Sequence, residues 1–267
     1  MTDVLLSARN IGVRFGGVLA VNDVSFDVQR GEVLTLIGPN GAGKTTVFNL
    51  ISRIHDPSTG TISFEGKPLT RQPPHRIAAL GIARTFQNIE LFEHASVLHN
   101  LLVGRHTHRR TGVFHDLFFT PGARAAEIDA REKVERVIDL LELQHHRDAM
   151  VAGLPYGVRK VVELARALCT EPKLLLLDEP SSGLNVEETE DMAFWIQDIR
   201  AELGVTVLMV EHDMTLVSRV SDRVVAMNQG EVVAIGTPAQ VQRDARVVEA
   251  YLGSTDAVAD LRREGVR

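Results

Sequence analysis

Apolar and polar residues alternate with one period early in the chain and with another in its middle. In VNDVSFDV, Val24, Phe26 and Val28 alternate with polar neighbours, the period of a strand with one buried face. Arg30 and Gly31 then turn the chain into EVLTLIG, a short apolar run suited to a strand buried on both faces. A helix is expected over 44–53, then a turn at DPSTG and a further strand at TISFEG. Between 85 and 165 the spacing becomes helical. AREKVERVIDLLEL puts Val134, Val137, Ile138 and Leu141 on one face, with Glu132 and Arg136 at i,i+4. Beyond it, LLLLD, a helix over 187–200, VTVLMV and a helix after Asp213 alternate, which predicts parallel strands. RVVAMNQGEVVAIG closes the pattern as a hairpin turning at Gln229 and Gly230. The pattern predicts an α/β core with a helical subdomain inserted into it, and no internal repeat is visible.

Composition narrows the reading. The chain has 267 residues, enough for one large domain or two joined subdomains, with 44% hydrophobic and 24% charged residues. A formal net charge of −6 argues against coating nucleic acid. The single cysteine, Cys169, excludes an internal disulfide and points to a reducing compartment. It follows ARAL on a predicted helix and reads as a packing residue. MTDVLLSARN lacks the layout of a signal peptide, and no apolar run approaches the ~20 residues that span a bilayer. A cytosolic chain is expected, touching a membrane through a partner.

Two stretches carry chemistry. GPNGAGKTT, residues 38–46, is G-x-x-x-x-G-K-T between a predicted strand and a predicted helix. Its glycines, with Asn40, Gly41, Ala42 and Gly43 at the centre, let backbone N–H groups wrap an anion at a helix start. Lys44 can reach the β and γ phosphates, the Thr45 hydroxyl can ligate Mg²⁺, and Thr46 follows in the same turn. The loop predicts binding of a nucleoside triphosphate. LLLLDEP supplies the complementary acids: Asp178, at the end of an apolar strand, would meet the metal, and Glu179 stands where a base could polarise water. Upstream, LPYGVRK at 154–160 is a bend running into a helix, with Gly157 near the helix start.

The order of Gly-rich loop, helical insertion, LPYGVRK, LLLLDEP and VEHDM resembles the ATP-binding subunits of ABC transporters, over about residues 4–253. The resemblance implies a P-loop ATPase core with an N-terminal antiparallel β subdomain and an inserted helical subdomain. The organisation expected is 1–84 as core with the β subdomain, 85–165 as the helical subdomain ending in the signature, 166–253 as core again, and 254–267 as a polar tail. In that family two subunits sandwich two ATP molecules, and the signature of one closes over the γ-phosphate held by the other. Here the signature departs from Leu-Ser-Gly-Gly-Gln: Pro155 replaces the serine, Tyr156 the first glycine and Val158 the glutamine, while Gly157 remains. Proline offers neither a hydroxyl nor an amide hydrogen, and a lost charge-assisted hydrogen bond is worth roughly 1.5–3 kcal/mol.

A Pro/Ala-Tyr-Gly signature is nonetheless similar to that of one ATP-binding subunit of branched-chain amino acid importers. FGGVLAVNDVSF, EPSSGLN, the long LLVGRHTHRR segment and YLG at 251–253 share that resemblance. It implies further roles. Phe15 would stack on the adenine, with Val21 padding the ring; Gln87 in RTFQN would touch Mg²⁺ or the water and link the core to the insertion. His212 in VEHDM would hold the γ-phosphate and the attacking water. Ser182, Gly183, Leu184 and Asn185 would cross the subunit interface, with Asn185 where many relatives have aspartate. The implied cofactors are ATP and Mg²⁺. The implied partners are transmembrane permease subunits, a second ATPase subunit (the same chain or a related one) and, indirectly, a substrate-binding protein, with no nucleic acid.

Other readings stay open on the residues alone: importers of urea, amides or other amino acids, a lipid or lipopolysaccharide exporter, a DNA-associated ATPase, or a soluble P-loop kinase. The Tyr-Gly signature and the 104–125 segment argue against the exporter, and the absence of heptads argues against the DNA-associated class. GRHTHRRTGVFHDLFF is either a membrane-proximal surface or a solvated loop. The His106/His108 and His145/His146 pairs lack further ligands at metal spacing and read as non-metal.

Overall fold

The computed structural model describes residues 3–85, 89–108 and 121–252. Gln87, most of the 104–125 segment and the tail expected at 254–267 lie outside the described residues. Contacts gather the chain into two units, one of 1–75, 176–179 and 206–267, the other of 76–175 and 180–205.

The first unit opens with β1 (Val4–Phe15) and β2 (Val18–Gln29), an antiparallel pair joined at Gly16-Gly17. Ala8 stands opposite Phe26 and Ile11 opposite Val24, so the alternation seen in the sequence lines one buried face. β3 (Val33–Ile37) has every residue buried and leads to α1 (Lys44–Ile51), two residues shorter than expected. β4 (Thr59–Phe64) and β5 (Lys67–Pro68) complete an antiparallel sheet in the order β2-β1-β4-β5.

The second unit carries β6 (Ile82–Arg84), α2 (Val97–Gly104), α3 (Pro121–Leu140) and α4 (Tyr156–Leu168). Val134, Val137, Ile138 and Leu141 are buried as their spacing requires. Asn100 is fully buried in α2 yet satisfied: its amide donates to the Phe92 and Ser96 carbonyls at 3.0 and 3.1 Å and accepts from Phe92 N–H at 2.8 Å. Cys169 follows α4 with 1% exposure, and burial pushes its thiol up to about 12.

β7 (Leu174–Asp178) starts in the second unit, where Leu174 N–H donates to Gly81 at 3.0 Å, and ends in the first. α5 (Val186–Leu203) returns to the second unit. The first unit then closes with β8 (Thr206–Val210), α6 (Met214–Val220), β9 (Arg223–Asn228), β10 (Glu231–Gly236), α7 (Pro238–Arg243) and α8 (Ala245–Leu252). The second sheet has six strands in the order β10-β9-β3-β8-β7-β6. β3 lies parallel to both β8 and β9, with Leu34 beside Leu208 and Arg223. The Val and Leu runs are therefore buried on both faces. β9 and β10 form the expected hairpin, and Gln229 and Gly230 both take positive φ, 48° and 83°, at its turn. Val224 and Ala226 of β9 pack with Ile37, Val217, Val241 and Val247. Among the described residues no helix is long and apolar enough to cross a membrane.

Candidate functional site

The chain leaves β3 at Gly38 and turns through 38–43 into α1, with Ala42 N–H donating to the Pro39 carbonyl at 3.1 Å. Gly43 makes the corner. Its φ is 97°, and a Cβ there would stand 2.6 Å from the Ala20 carbonyl oxygen, so glycine is required. Gly43 also provides no side-chain cap, and no acidic residue stands in the first turn of α1. The N–H groups and positive dipole end of this helix are left available for an external anion. Asn40, Gly41 and Thr45 are exposed, Thr46 is half-buried and Ala42 is buried.

Lys44 is 7% exposed, and its ammonium donates to the Gly38 and Pro39 carbonyls at 2.7 and 3.1 Å. Burial lowers its pKa from the ordinary lysine value, while Glu179 and Asp178 pull in the other direction. The cation of the glycine loop and the two acids of LLLLDE thus share one neighbourhood, although they lie far apart in the sequence.

Asp178 ends β7 with 3% exposure. Glu179 follows at φ 50°, and its N–H donates to the Val210 carbonyl at 2.9 Å. A non-glycine residue held in this region is strained, and such strain gathers at functional positions. The bond fixes the end of β7 to the end of β8, where Glu211 and His212 follow. Glu211 is fully buried and accepts from the N–H groups of His212 and Asp213 at 2.7 and 3.1 Å. Asp213 in turn caps α6, accepting from Thr215 and Leu216 N–H. The sequence reading singled out His212 and missed Glu211. Its signal was present: a carboxylate directly continuing an apolar strand must be buried and must find donors.

Phe15 is 42% exposed, and its ring meets His55 edge-on with centroids 5.0 Å apart. Val21 is fully buried, opposite Val13, with its Cγ2 3.5 Å from the point a Gly43 Cβ would occupy. It packs under the corner of the loop. His55 carried no signal beyond its place before the DPSTG turn.

Pro155, Tyr156 and Gly157 lie together with the 182–185 stretch in the second unit. Pro155 is the N-cap of α4 (φ −54°, ψ 154°), without a side-chain hydrogen bond, and Tyr156 opens the helix. The Tyr156 hydroxyl donates to the Ser182 carbonyl at 3.5 Å, and its Cε1 would be 2.8 Å from a Cβ on Gly183. Lys160 donates to the Pro180 carbonyl at 3.3 Å and lies 5.8 Å from the centre of the Tyr156 ring. Leu184 N–H donates to Ser181 at 3.0 Å, and Asn185 caps α5 by accepting from Glu188 N–H at 2.9 Å.

Comparison with known proteins gives a consistent outcome. The family model described as "ABC transporter" matches residues 21–182, and that described as "Branched-chain amino acid ATP-binding cassette transporter" matches 231–257. The chain is 41% identical to the high-affinity branched-chain amino acid transport ATP-binding protein LivG of Salmonella typhimurium, over 95% of this chain and 99% of that one. It is 42% identical to the corresponding protein BraF of Pseudomonas aeruginosa, with the same coverage. Among solved structures, the ADP conformation of MJ1267, an ATP-binding cassette of an ABC transporter, superposes with a TM-score of 0.82 at 32% identity, covering 95% of this chain and 100% of that one.

Proposed function

The chain belongs to the ATP-binding subunits of ABC transporters, and on that premise we propose that it hydrolyses ATP to power import of branched-chain amino acids through a membrane permease. The observation that carries the reading is the buried Lys44 ammonium, bonded to the loop carbonyls and sharing its surroundings with Asp178 and Glu179. The match of 231–257 to the branched-chain group and the names of the relatives support the choice of substrate.

In this reading the N–H groups of 40–46 wrap the β and γ phosphates, and Lys44 turns its donors from the loop carbonyls to phosphate oxygens. A buried carboxylate at Asp178 and an exposed hydroxyl at Thr45 offer an all-oxygen donor set that suits Mg²⁺, with Gln87 as a further oxygen. Mg²⁺ held there supplies neutralisation of charge on the transferring phosphoryl group. Glu179 takes a proton from the attacking water, and His212 holds water and phosphate in register. Phe15 stacks on the adenine, worth roughly 1–3 kcal/mol by analogy with base stacking, and Val21 pads the site from beneath Gly43. Pro155, Tyr156 and Gly157 act on the nucleotide of an opposing subunit, and 182–185 lines that interface.

The partners of this reading are permease subunits, a second ATPase subunit and, through the permease, a substrate-binding protein. The chain sits peripherally on the inner face of the membrane, with 1–84 and 166–253 as its ATP-binding core, 85–165 as its helical subdomain and 254–267 as a tail. Uptake of labelled leucine, isoleucine and valine in cells lacking the chain tests the function. Wild-type protein restores uptake and Glu179→Gln does not. Unchanged branched-chain uptake together with lost uptake of urea or an amide would overturn the substrate.

A further inference from the structure

The start of α4 and the start of α5 are joined through one carboxylate. Glu188 completes a capping box: Asn185 Oδ1 accepts from Glu188 N–H at 2.9 Å, and Glu188 Oε2 accepts from Asn185 N–H at 2.9 Å. Thr189 Oγ1 donates to the Asn185 carbonyl at 2.8 Å and secures the same turn. The other oxygen of Glu188 faces Gly157. A Cβ on Gly157 would stand 2.7 Å from the Glu188 Cδ, so the glycine leaves room for the flexible Glu188 side chain to come this close to the backbone.

The contact answers a deficiency in α4. Pro155 gives that helix no side-chain cap, and its first turn holds no acidic residue. Glu188 brings a side-chain oxygen from another helix to that uncapped start. Tyr156 makes a second attachment a few ångströms of chain away, its hydroxyl on the Ser182 carbonyl and its ring against Gly183. The bend at 155–157 therefore meets the 182–185 loop and the first turn of α5 at two points, one of them through a side chain that stands where the family's signature has glycine.

We infer that Glu188 is a positioning residue that fixes the 182–185 loop to the Pro-Tyr-Gly bend of the same chain, so that both are offered to an opposing subunit as one body. The inference rests on the proposed function, because the bend matters to turnover only if it closes over a second subunit's nucleotide. Glu188 touches neither water nor phosphate in this scheme. It acts through the placement of Gly157 and Asn185.

The test uses the full chain with Glu188→Ala and Glu188→Gln. Glutamine keeps an oxygen for Asn185 N–H and the bulk against Gly157; alanine removes both. Three quantities are read: affinity of the isolated chain for a fluorescent ATP analogue, kcat and KM for MgATP, and the MgATP concentration that drives association in a Glu179→Gln background by light scattering. Glu188→Ala is expected to leave affinity within twofold, lower kcat about tenfold and raise the MgATP needed for association by a similar factor. Glu188→Gln is expected to recover most of that loss. Wild-type kcat and association in Glu188→Ala would overturn the inference, and so would an equal loss in both variants, which would assign the effect to charge. Thermal unfolding of both variants checks that each is folded. Lys44→Ala is the control for the underlying reading. If it retains nucleotide affinity, that reading fails; if it loses affinity while Glu188→Ala is silent, only the inference fails.

Discussion

Glu211 receives the backbone N–H of His212 at 2.7 Å from a position with no exposed surface. The neighbour that sets the histidine's backbone is thus a buried anion, and it also holds Asp213 N–H at 3.1 Å. The exposed imidazole projects from a turn whose direction is fixed by a carboxylate inside the fold.

Glu211→Ala is expected to release that turn. It leaves two backbone donors to find other partners, a cost of about 1–3 kcal/mol each where they stay buried. Turnover should fall about tenfold, equivalent to about 1.4 kcal/mol of barrier, with KM for MgATP changed less than kcat. Steady-state kinetics separate the two, and a proportional rise in KM with unchanged kcat would remove the role given to the 211–212 pair.

Glu179→Gln keeps the shape at φ 50° and the bond to Val210, and removes the base. Turnover should fall at least ~100-fold, within the range for loss of general-base catalysis, while ATP still binds. Near-normal hydrolysis by the purified variant contradicts the assignment.

Lys44→Met should abolish nucleotide binding and also change the response of stability to alkaline pH. Burial lowers the Lys44 pKa, so the cost of holding its charge in the fold is present at neutral pH and is relieved as pH rises toward the unfolded value of 10.5. In that window the unfolded chain binds more protons than the folded one, and this group makes stability rise with pH. Urea midpoints of wild type and variant, compared in the window below 10.5, should show the rise reduced in Lys44→Met. Parallel curves would mean that Lys44 is not held as described.

The Cys169 thiol should resist alkylation. It is 1% exposed and pushed up to about 12, so little thiolate forms at neutral pH and a reagent has no path to it. Iodoacetamide followed by mass measurement should modify the unfolded protein and leave the native one unmodified for hours. Rapid native modification would show that the end of α4 opens.

The parts of the site that could be read in the sequence are those whose geometry is local. Eight consecutive residues are enough to build a loop that wraps an anion, and an apolar run ending in two acids is enough to deliver them to one end of a sheet. The hairpin at Gln229 and Gly230 was legible for the same reason, since two residues of positive φ determine it. Contacts between distant segments left weaker traces. Nothing in IHDPSTG announces that His55 meets the edge of Phe15, and Val21 is spaced like any strand valine although it packs under Gly43. Tyr156 read as a departure from a motif. Only the fold supplies Ser182 and Gly183 as its partners, because their approach depends on where α5 begins.

The turn of the last hairpin has a consequence for how the chain could be divided or exchanged. Gly230 N–H donates to the Ala42 carbonyl at 3.1 Å, and the Gly230 carbonyl accepts from Asn22 N–H at 2.8 Å. The stretch that matches the branched-chain group begins at residue 231, immediately after that glycine. The end that matches the branched-chain group is therefore not a detachable module joined to a complete engine. The turn that leads into it braces the phosphate loop, and a chimera that exchanges this end for a relative's must carry the turn across in register or disturb that loop.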